Sequence, residues 1–481
     1  MRCRVNARVR RLVRVAALPA ILALASAIDG FGLGRLSLWY DEVVTMRLAR
    51  AESPAALLRL LGEIDATRAP LHPLLLQDWL YLFGTSEFAG RSFSVVCGVA
   101  TVFLIYRIGL ATFGASTGLW AAWLATLSPL LIYYAREARM YAWLVFVTCA
   151  CWALLFQLRN TSRRKTPVAY GIALVALGYS HPLGLIMLAT LAMASGFFAT
   201  AFFGSRIRWF GIHAMAGLLI APWLNHYLDH APESFSGPLP IKFLLGTPIG
   251  FIGGNFVTLA GLLTVAGYGV VRDFRERQAE GNGQSSAHVF LTPTCLLIWL
   301  AIPPLVLFAY SWISHPIFGP ARYTLFVAPA YLILVASGLS RLPAVVRFPL
   351  AVGMAGLSVM TIMPMVFDPE IKGDWRAFAA SVEHDRAELK AGPSTVLVMS
   401  ADAHNNVEVE TARYYLPADC TILKAENIQP EKIDRASPVF LAVGSRRGQP
   451  VRTVPDRVGD YHFIEDRSFP GLAIFRGEIG P

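Results

Sequence analysis

The sequence predicts an all-α polytopic membrane bundle followed by a small C-terminal α/β domain. Apolar residues make up 55% of the chain and charged residues only 15%, and the mean hydropathy is +0.50. Apolar runs of about 20 residues, the length that crosses a bilayer, recur up to residue 366. After Phe367 the composition becomes mixed and polar, which is typical of a folded domain outside the membrane.

The charge and the cysteines exclude two other classes of protein. The formal net charge is +10, but the basic residues stand in short blocks between apolar runs, where the positive-inside rule accounts for them. We therefore expect no nucleic-acid partner. Four of the six cysteines lie inside apolar segments (Cys97, Cys149, Cys151 and Cys295), so no disulfide framework or cysteine metal site is expected.

The spans and their orientation follow from length and charge. The first apolar run follows an arginine-rich N-terminus and ends near Gly34. Ten more are expected at about 91–111, 115–134, 139–158, 167–180, 183–203, 209–225, 245–271, 289–312, 322–339 and 346–366, giving about eleven transmembrane helices. The N-terminus is then cytoplasmic and the C-terminal domain periplasmic, in a multi-pass protein of the inner (plasma) membrane. Alternatively, Ala25-Ser26-Ala27 resembles a signal-peptide cleavage site.

Two domains are expected, a transmembrane domain over 1–366 and an extracytoplasmic α/β domain over 367–481. The first external loop, 35–90, contains two apolar segments suited to interfacial helices, one beginning at Ser53-Pro54 and one at Pro73. In the C-terminal domain Asp374 is a helix cap for a segment reaching about Leu389. Strands are expected at 394–399, 439–443 and 472–475.

Two adjacent acids follow the first span, in Leu38-Trp39-Tyr40-Asp41-Glu42. Trp39 and Tyr40 are interfacial anchors that would hold the segment near the headgroups. Two neighbouring carboxylates there repel each other unless a cation intervenes. Arginine or a divalent cation such as Mg²⁺ or Mn²⁺ could supply it, which makes Asp41 and Glu42 candidate metal ligands. The alternative is that the acids form only a solvated boundary of the span.

Two arginines stand at the outer end of the third span, in Tyr133-Tyr134-Ala135-Arg136-Glu137-Ala138-Arg139-Met140-Tyr141. If this segment is helical, Arg136 and Arg139 project from one face. Guanidinium groups bind phosphate oxygens in a bidentate manner, so this face is suited to an anion. The alternative is that both arginines reach lipid headgroups or pair with Glu137 and the acids of the first loop.

Other polar residues map to the same outer side. His181 and His315 occupy external turns, where a histidine is either a helix-end hydrogen bonder or a ligand. Arg322 begins a later span and either anchors to headgroups or contacts substrate. His72 and Arg68 on the first loop are less specific. His181, His72 and Tyr141 are candidate substrate or metal contacts.

These motifs together resemble a known family. They are Leu38–Glu42, Ala69–Leu76 with Phe83–Phe88 and Arg91, Ser128-Pro129 through Tyr141, Arg322-Tyr323 and Asp374-Trp375-Arg376. The set is similar to bacterial GT-C glycosyltransferases of the protein O-mannosyltransferase and lipid A aminoarabinose transferase superfamily.

The resemblance implies inverting transfer of a sugar from a polyprenyl-phosphate donor to an acceptor at the outer face of the membrane. The acceptor could be a lipid, a glycan or a protein hydroxyl. Asp41 matches the catalytic residue of the first loop and could act as general base. Glu42 would orient it or share a metal ion, and Arg136, Arg139 and Arg322 would bind the donor phosphate.

Three other functions are alternatives to sugar transfer. A transporter or flippase of lipid-linked sugars would need intramembrane charges and paired broken helices. The mid-membrane stretches are instead nearly uncharged. A glycan polymerase or ligase shares the donor class, and a non-catalytic envelope scaffold would tolerate loss of the Asp41 carboxylate.

Overall fold

The computed structural model describes residues 7–64, 69–159, 165–229, 241–279, 286–313, 321–367, 372–389, 394–399, 407–424, 438–444, 457–458, 461–469 and 472–479. The chain forms two compact units. Unit 1 comprises Met1–Phe31, Ala51–Gly84 and Arg91–Ile362. Unit 2 joins two short N-terminal segments to the C-terminal region, and comprises Gly32–Arg50, Thr85–Gly90 and Met363–Pro481. Each unit is therefore built from three separate segments of the chain.

The described helices, in chain order, are α1 (Ala7–Gly30), α2 (Tyr40–Ala49), α3 (Pro54–Ile64), α4 (Leu71–Phe83), α5 (Glu87–Phe113), α6 (Ala115–Thr126), α7 (Pro129–Ala135), α8 (Met140–Leu158), α9 (Lys165–Gly178), α10 (Pro182–Phe197), α11 (Ala199–Phe203), α12 (Arg206–Asp229), α13 (Ile241–Gly246), α14 (Ile249–Ile252), α15 (Phe256–Ala279), α16 (Ser286–Ile313), α17 (Ala328–Arg341), α18 (Ala344–Phe367), α19 (Trp375–Glu388) and α20 (Val407–Tyr415). A 3₁₀ helix, Ala321–Val327, precedes α17.

The multi-pass membrane bundle is confirmed. Among the described residues, seven helices are long and apolar enough to cross a bilayer, or eight if the bent pair α6 and α7 forms one span. Three shorter apolar helices, Ala16–Gly30, Lys165–Gly178 and Pro182–Phe197, coincide with three further predicted spans. The total of about eleven spans remains a prediction, because these three are shorter than the usual bilayer-crossing length.

Three predicted spans are not continuous helices. The span at 115–134 bends by 61° between α6 and α7, where Pro129 starts a new helix after Ser128. The span at 183–203 is interrupted between α10 and α11. The span at 245–271 begins only at Phe256, because Gly253 and Gly254 have φ angles of 91° and 101° and end the preceding helix.

The segment 35–90, predicted to be the first external loop, contains both predicted helices and one that was missed. In α3, Ser53 Oγ accepts a hydrogen bond from the Ala56 amide at 3.2 Å, which confirms Ser53 as a cap. The second helix, α4, begins at Leu71, before Pro73. The additional helix is α2, which carries Asp41 and Glu42 in its first turn.

The core of unit 1 is built around α17. Every residue from Ala328 to Leu339 is buried, as expected for a helix that is apolar on all sides and surrounded by others. A side chain on Gly338 would overlap the backbone of Val265 in α15, so glycine permits this close helix crossing. Trp152 and Trp299 stack at 4.8 Å between ring centroids and join α8 to α16.

A charged cluster lies at the ends of α15 and α17. Asp273 accepts hydrogen bonds from Arg277 and Arg341, each at 2.7 Å. Arg341 also pairs with Glu276 at 3.2 Å. The ends of α15 and α17 are therefore joined by acids of α15 that bind Arg341.

Unit 2 contains the predicted α/β domain. Its strands are β1 (Thr395–Met399), β2 (Thr421–Lys424), β3 (Val439–Gly444), β4 (Arg457–Val458), β5 (Tyr461–Phe469) and β6 (Leu472–Ile479), in the sheet order β2-β1-β3-β6-β5-β4. The central strand β1 is parallel to both neighbours and fully buried. The three predicted strands are confirmed as β1, β3 and the start of β6.

Helix α19 packs on this sheet through an apolar face. Phe378 and Val382 are fully buried against Val396 and Phe440 of β1 and β3. The predicted cap is confirmed, since Asp374 Oδ1 accepts the Ala377 amide hydrogen at 3.1 Å.

Candidate active site

The acidic pair lies in the first turn of α2. Because α2 begins at Tyr40, both carboxylates stand near the positive end of the helix dipole. Asp41 is partly exposed, whereas Glu42 is fully buried. Thr45 Oγ1 donates to the Asp41 carbonyl oxygen at 2.9 Å, which fixes the backbone of this turn. Asp41 is therefore the member of the pair that is open to a reactant.

The cation beside Glu42 is Lys372. Lys372 Nζ donates to Glu42 Oε2 at 2.9 Å, and the two side chains are 7% and 0% exposed. The Trp39 amide also donates to Glu42 Oε2, at 3.5 Å. A cation was expected beside the acidic pair, and the structure places a lysine there. Sequence reasoning did not identify Lys372, because it is distant from Glu42 in the sequence.

The acidic pair does not fit the expected divalent-cation site. Lys372 already donates to Glu42, and its positive charge would repel a second cation at the same oxygen. Glu42 is also the more buried of the two proposed ligands. Lys372 therefore occupies the position that was expected for a metal ion.

The segment with Arg136 and Arg139 is not helical, so the prediction that both project from one helix face is wrong. Helix α7 ends at Ala135 and α8 begins at Met140. Arg139 is the N-cap of α8, with extended backbone angles of −135° and 156°. The two arginines consequently have different surroundings.

Arg136 binds the end of another helix. Its guanidinium donates to the carbonyl oxygens of Ile28 and Asp29 at 3.0 and 2.9 Å. These are C-terminal carbonyls of α1, which lack partners within the helix and attract a positive charge. Arg136 therefore has a structural role in unit 1, with or without an anion nearby.

Arg139 and Arg322 both interact electrostatically with Tyr134. Both guanidinium groups are within electrostatic range of the Tyr134 hydroxyl, as is the Glu137 carboxylate. Arg139 is 4% exposed, and its guanidinium carbon is 5.6 Å from the Tyr141 ring centroid. We call Tyr134, Glu137, Arg139, Tyr141 and Arg322 the arginine cluster. These residues come from the end of α7, the break after it, the start of α8 and the 3₁₀ helix.

His181 stands beside this cluster, with its ring centroid 6.0 Å from that of Tyr141. It caps α10, since its Nδ1 accepts the Leu183 amide hydrogen at 3.0 Å. The helix-end role foreseen for a turn histidine is thus present. In the neutral ring the proton is then on Nε2, which is a donor.

His72 is buried in α4, with its ring 5.7 Å from Phe93 in an edge-to-face contact. Arg68 and His315 lie outside the described residues.

Two buried charges missing from the predicted site are Glu137 and Arg91, which are 1% and 2% exposed. The only sequence signal for these two residues is their position within the motifs that resemble the GT-C family. The predicted site residues thus form two groups, the acidic pair in unit 2 and the arginine cluster in unit 1.

The comparisons with known proteins agree with this architecture. Residues 67–226 match the family model described as dolichyl-phosphate-mannose-protein mannosyltransferase. ArnT from Cupriavidus metallidurans in the apo state is similar with a TM-score of 0.61 and 15% identity, over 96% of this chain and 98% of that chain. The chain has an ArnT-like GT-C fold. The resemblance seen in the motifs is thereby confirmed.

Two further structures share the GT-C fold. The same ArnT bound to undecaprenyl phosphate gives a TM-score of 0.59 at 15% identity, over 98% of both chains. The apo oligosaccharyltransferase of Archaeoglobus fulgidus gives 0.50 at 11% identity, over 90% of this chain and 69% of that chain. Among curated proteins, none matches the sequence. At these identities the similarity establishes the fold.

Proposed function

We propose that the protein is an inverting glycosyltransferase that moves a sugar from a polyprenyl-phosphate donor to an acceptor hydroxyl. The observation that carries the proposal is the arginine cluster, in which two guanidinium groups lie within electrostatic range of one tyrosine hydroxyl. A related fold bound to undecaprenyl phosphate supports the donor class. The acceptor class is a lipid, a glycan or a protein that offers a hydroxyl.

Asp41 is the proposed general base. Its carboxylate takes the proton of the acceptor hydroxyl while that oxygen forms a bond to the anomeric carbon of the sugar. The bond from this carbon to the phosphate oxygen breaks, its electron pair remains on the phosphate, and the sugar configuration inverts. Base catalysis of this kind contributes about 10² to 10⁴ in rate.

Arg139 and Arg322 are the proposed phosphate ligands. The departing polyprenyl phosphate gains negative charge as the glycosyl bond breaks, and prearranged guanidinium groups stabilise that charge. The buried position of Arg139 strengthens such an interaction, because little water screens it. For Arg136 we propose an indirect part, since it holds the C-terminal end of α1.

We further propose an inner-membrane location with the N-terminus in the cytoplasm and unit 2 in the periplasm. The support is the charge pattern, because every predicted cytoplasmic turn is basic. Both the donor head group and the acceptor would then be met outside the cytoplasm.

The test is turnover by purified protein in liposomes that contain an undecaprenyl-phosphate sugar, with release of undecaprenyl phosphate as the readout. Asp41→Asn keeps the size of the side chain and removes the base, so we expect at least a 10²-fold loss of turnover. Glu52→Gln is the matched control, since Glu52 is an exposed acid just after α2. We expect turnover to persist in a chelator, because Lys372 holds Glu42.

Near-normal turnover of Asp41→Asn would show that Asp41 is not the base. Movement of the intact lipid-linked sugar across the bilayer, without release of undecaprenyl phosphate, would instead identify a flippase. Equal losses in Asp41→Asn and Glu52→Gln would point to damage of the fold rather than of the chemistry.

A further inference from the structure

Helix α2 is attached to the C-terminal part of unit 2 by side chains along its length. Its first turn is joined to Lys372 through Glu42 at 2.9 Å. Its last turn is joined to α20, where Arg47 pairs with Glu410 at 2.9 Å. The segment leading into α2 is held as well, since the Leu38 amide donates to the Tyr415 hydroxyl at 2.6 Å.

Residues of α19 extend this attachment toward the N-terminus. Arg376 donates from its guanidinium to the carbonyl oxygen of Gly34 at 3.0 Å, and from its backbone amide to Ser37 Oγ at 3.3 Å. Tyr415 in turn donates to Glu87, which lies in the second short segment of unit 2. The C-terminal region therefore fixes the backbone that precedes Asp41.

The contact between Lys372 and Glu42 differs from the others because both charges are buried. The exposed pair of Arg47 and Glu410 is weakened by water and salt. Removing Lys372 would instead take a positive charge away from the fully buried Glu42 carboxylate, which is a severe perturbation of the first turn. Glu42 adjoins Asp41, so a shift of this turn moves the proposed base.

We propose that Lys372 is a positioning residue for the proposed base, and that the C-terminal region serves to hold the Asp41 helix in its reactive orientation. The catalytic part of this inference rests on the proposed function, in which Asp41 is the base. Lys372 acts through Glu42, since its ammonium group is 7% exposed and directed at that carboxylate. Unit 2 is thus part of the enzyme's catalytic machinery.

The experiment compares four variants of the full chain in liposomes: Lys372→Met, Lys372→Arg, Glu42→Gln with Lys372→Met, and the control Lys165→Met, which changes an exposed lysine of α9. The readouts are kcat, the KM for the lipid donor, and hydrogen exchange of the amides of α2. A displaced base lowers kcat, whereas the phosphate-binding residues of unit 1 are left intact.

For Lys372→Met we expect kcat to fall on the order of 10²-fold, with the donor KM within about twofold and faster exchange in α2. Lys372→Arg keeps a positive charge beside Glu42 and should recover most of the rate. The double variant should exchange more slowly than Lys372→Met, because the buried carboxylate charge is then removed together with the lysine. Lys165→Met should match the wild type.

Unchanged kcat or unchanged exchange in Lys372→Met would overturn the inference, and so would a failure of Lys372→Arg to restore the rate. A parallel rise in the donor KM would show a general structural role instead. If the wild-type protein transfers no sugar, the proposed function fails by itself, while the exchange measurements still decide whether Lys372 holds α2.

Discussion

Removing the hydroxyl group of Tyr415 should destabilise unit 2. This hydroxyl accepts a hydrogen bond from the Leu38 amide at 2.6 Å and donates one to the Glu87 carboxylate. Tyr415→Phe removes both bonds and keeps the ring. It therefore isolates the contribution of one oxygen atom to the attachment of two N-terminal segments.

The expected loss follows from the two bonds. A neutral bond to an amide contributes about 1 kcal/mol and a bond to a charged group about 2 kcal/mol, so the free energy of unfolding should fall by about 3 kcal/mol. Arg376 lies 3.7 Å from Glu87 and offsets part of the loss at the carboxylate. The melting temperature of unit 2 should then decrease by roughly 6–12 °C.

The assay is thermal unfolding in detergent, followed by near-ultraviolet circular dichroism. Tyr81→Phe is the control, since Tyr81 is 90% exposed. Burial raises the pKa of Tyr415, and the Glu87 carboxylate raises this pKa further. The stabilisation should therefore be fully present below about pH 10, the ordinary tyrosine value, and be lost as the pH rises through the higher pKa of the folded state. A melting temperature equal to that of the wild type would show that the Tyr415 hydroxyl contributes nothing to the stability of unit 2.

Two further predictions concern the arginine cluster and the orientation. Arg139→Gln and Arg322→Gln should each weaken binding of undecaprenyl phosphate by about 10-fold or more in a titration, because each variant loses a charge-assisted bond. The control Arg59→Gln, at an exposed position of α3, should bind normally. Unchanged affinity in both cluster variants would remove them from the donor site. A cysteine placed at the exposed His462, in a Cys420→Ser background, should react with a membrane-impermeant reagent in cells whose outer membrane is permeable and whose inner membrane is intact. Reaction only after the inner membrane is opened would show the opposite orientation.

Local signals predicted the elements that depend on neighbours in the sequence. Asp374 was expected to cap a helix through about Leu389, and the helix observed is Trp375–Glu388. Ser53 was expected to cap α3, and its hydroxyl does so. Caps are made by residues two or three positions away, so their geometry is determined within one turn of chain.

Prediction failed where distant parts of the chain supply the partners. A helix through Arg136 and Arg139 was consistent with the local sequence, yet Arg136 binds carbonyl groups of α1, more than one hundred residues earlier. The span at 245–271 was extended too far because an apolar composition does not reveal the positive φ angles of Gly253 and Gly254. Helix α2 was missed because its buried residues lie on all of its sides and so give no helical periodicity; they are covered by other parts of unit 2 that are distant in the sequence, such as α20.

Hydropathy and residue type were enough to predict the membrane bundle, the C-terminal α/β domain and the candidate residues, since neither depends on tertiary contacts. The pairing of Lys372 with Glu42 became visible only in the folded chain, as did Tyr134 as a shared neighbour of Arg139 and Arg322. The folded chain also places the Asp41 helix in the same unit as the C-terminal region. The physical reason is that electrostatic pairing depends on distance in space, and buried charges find partners hundreds of residues away.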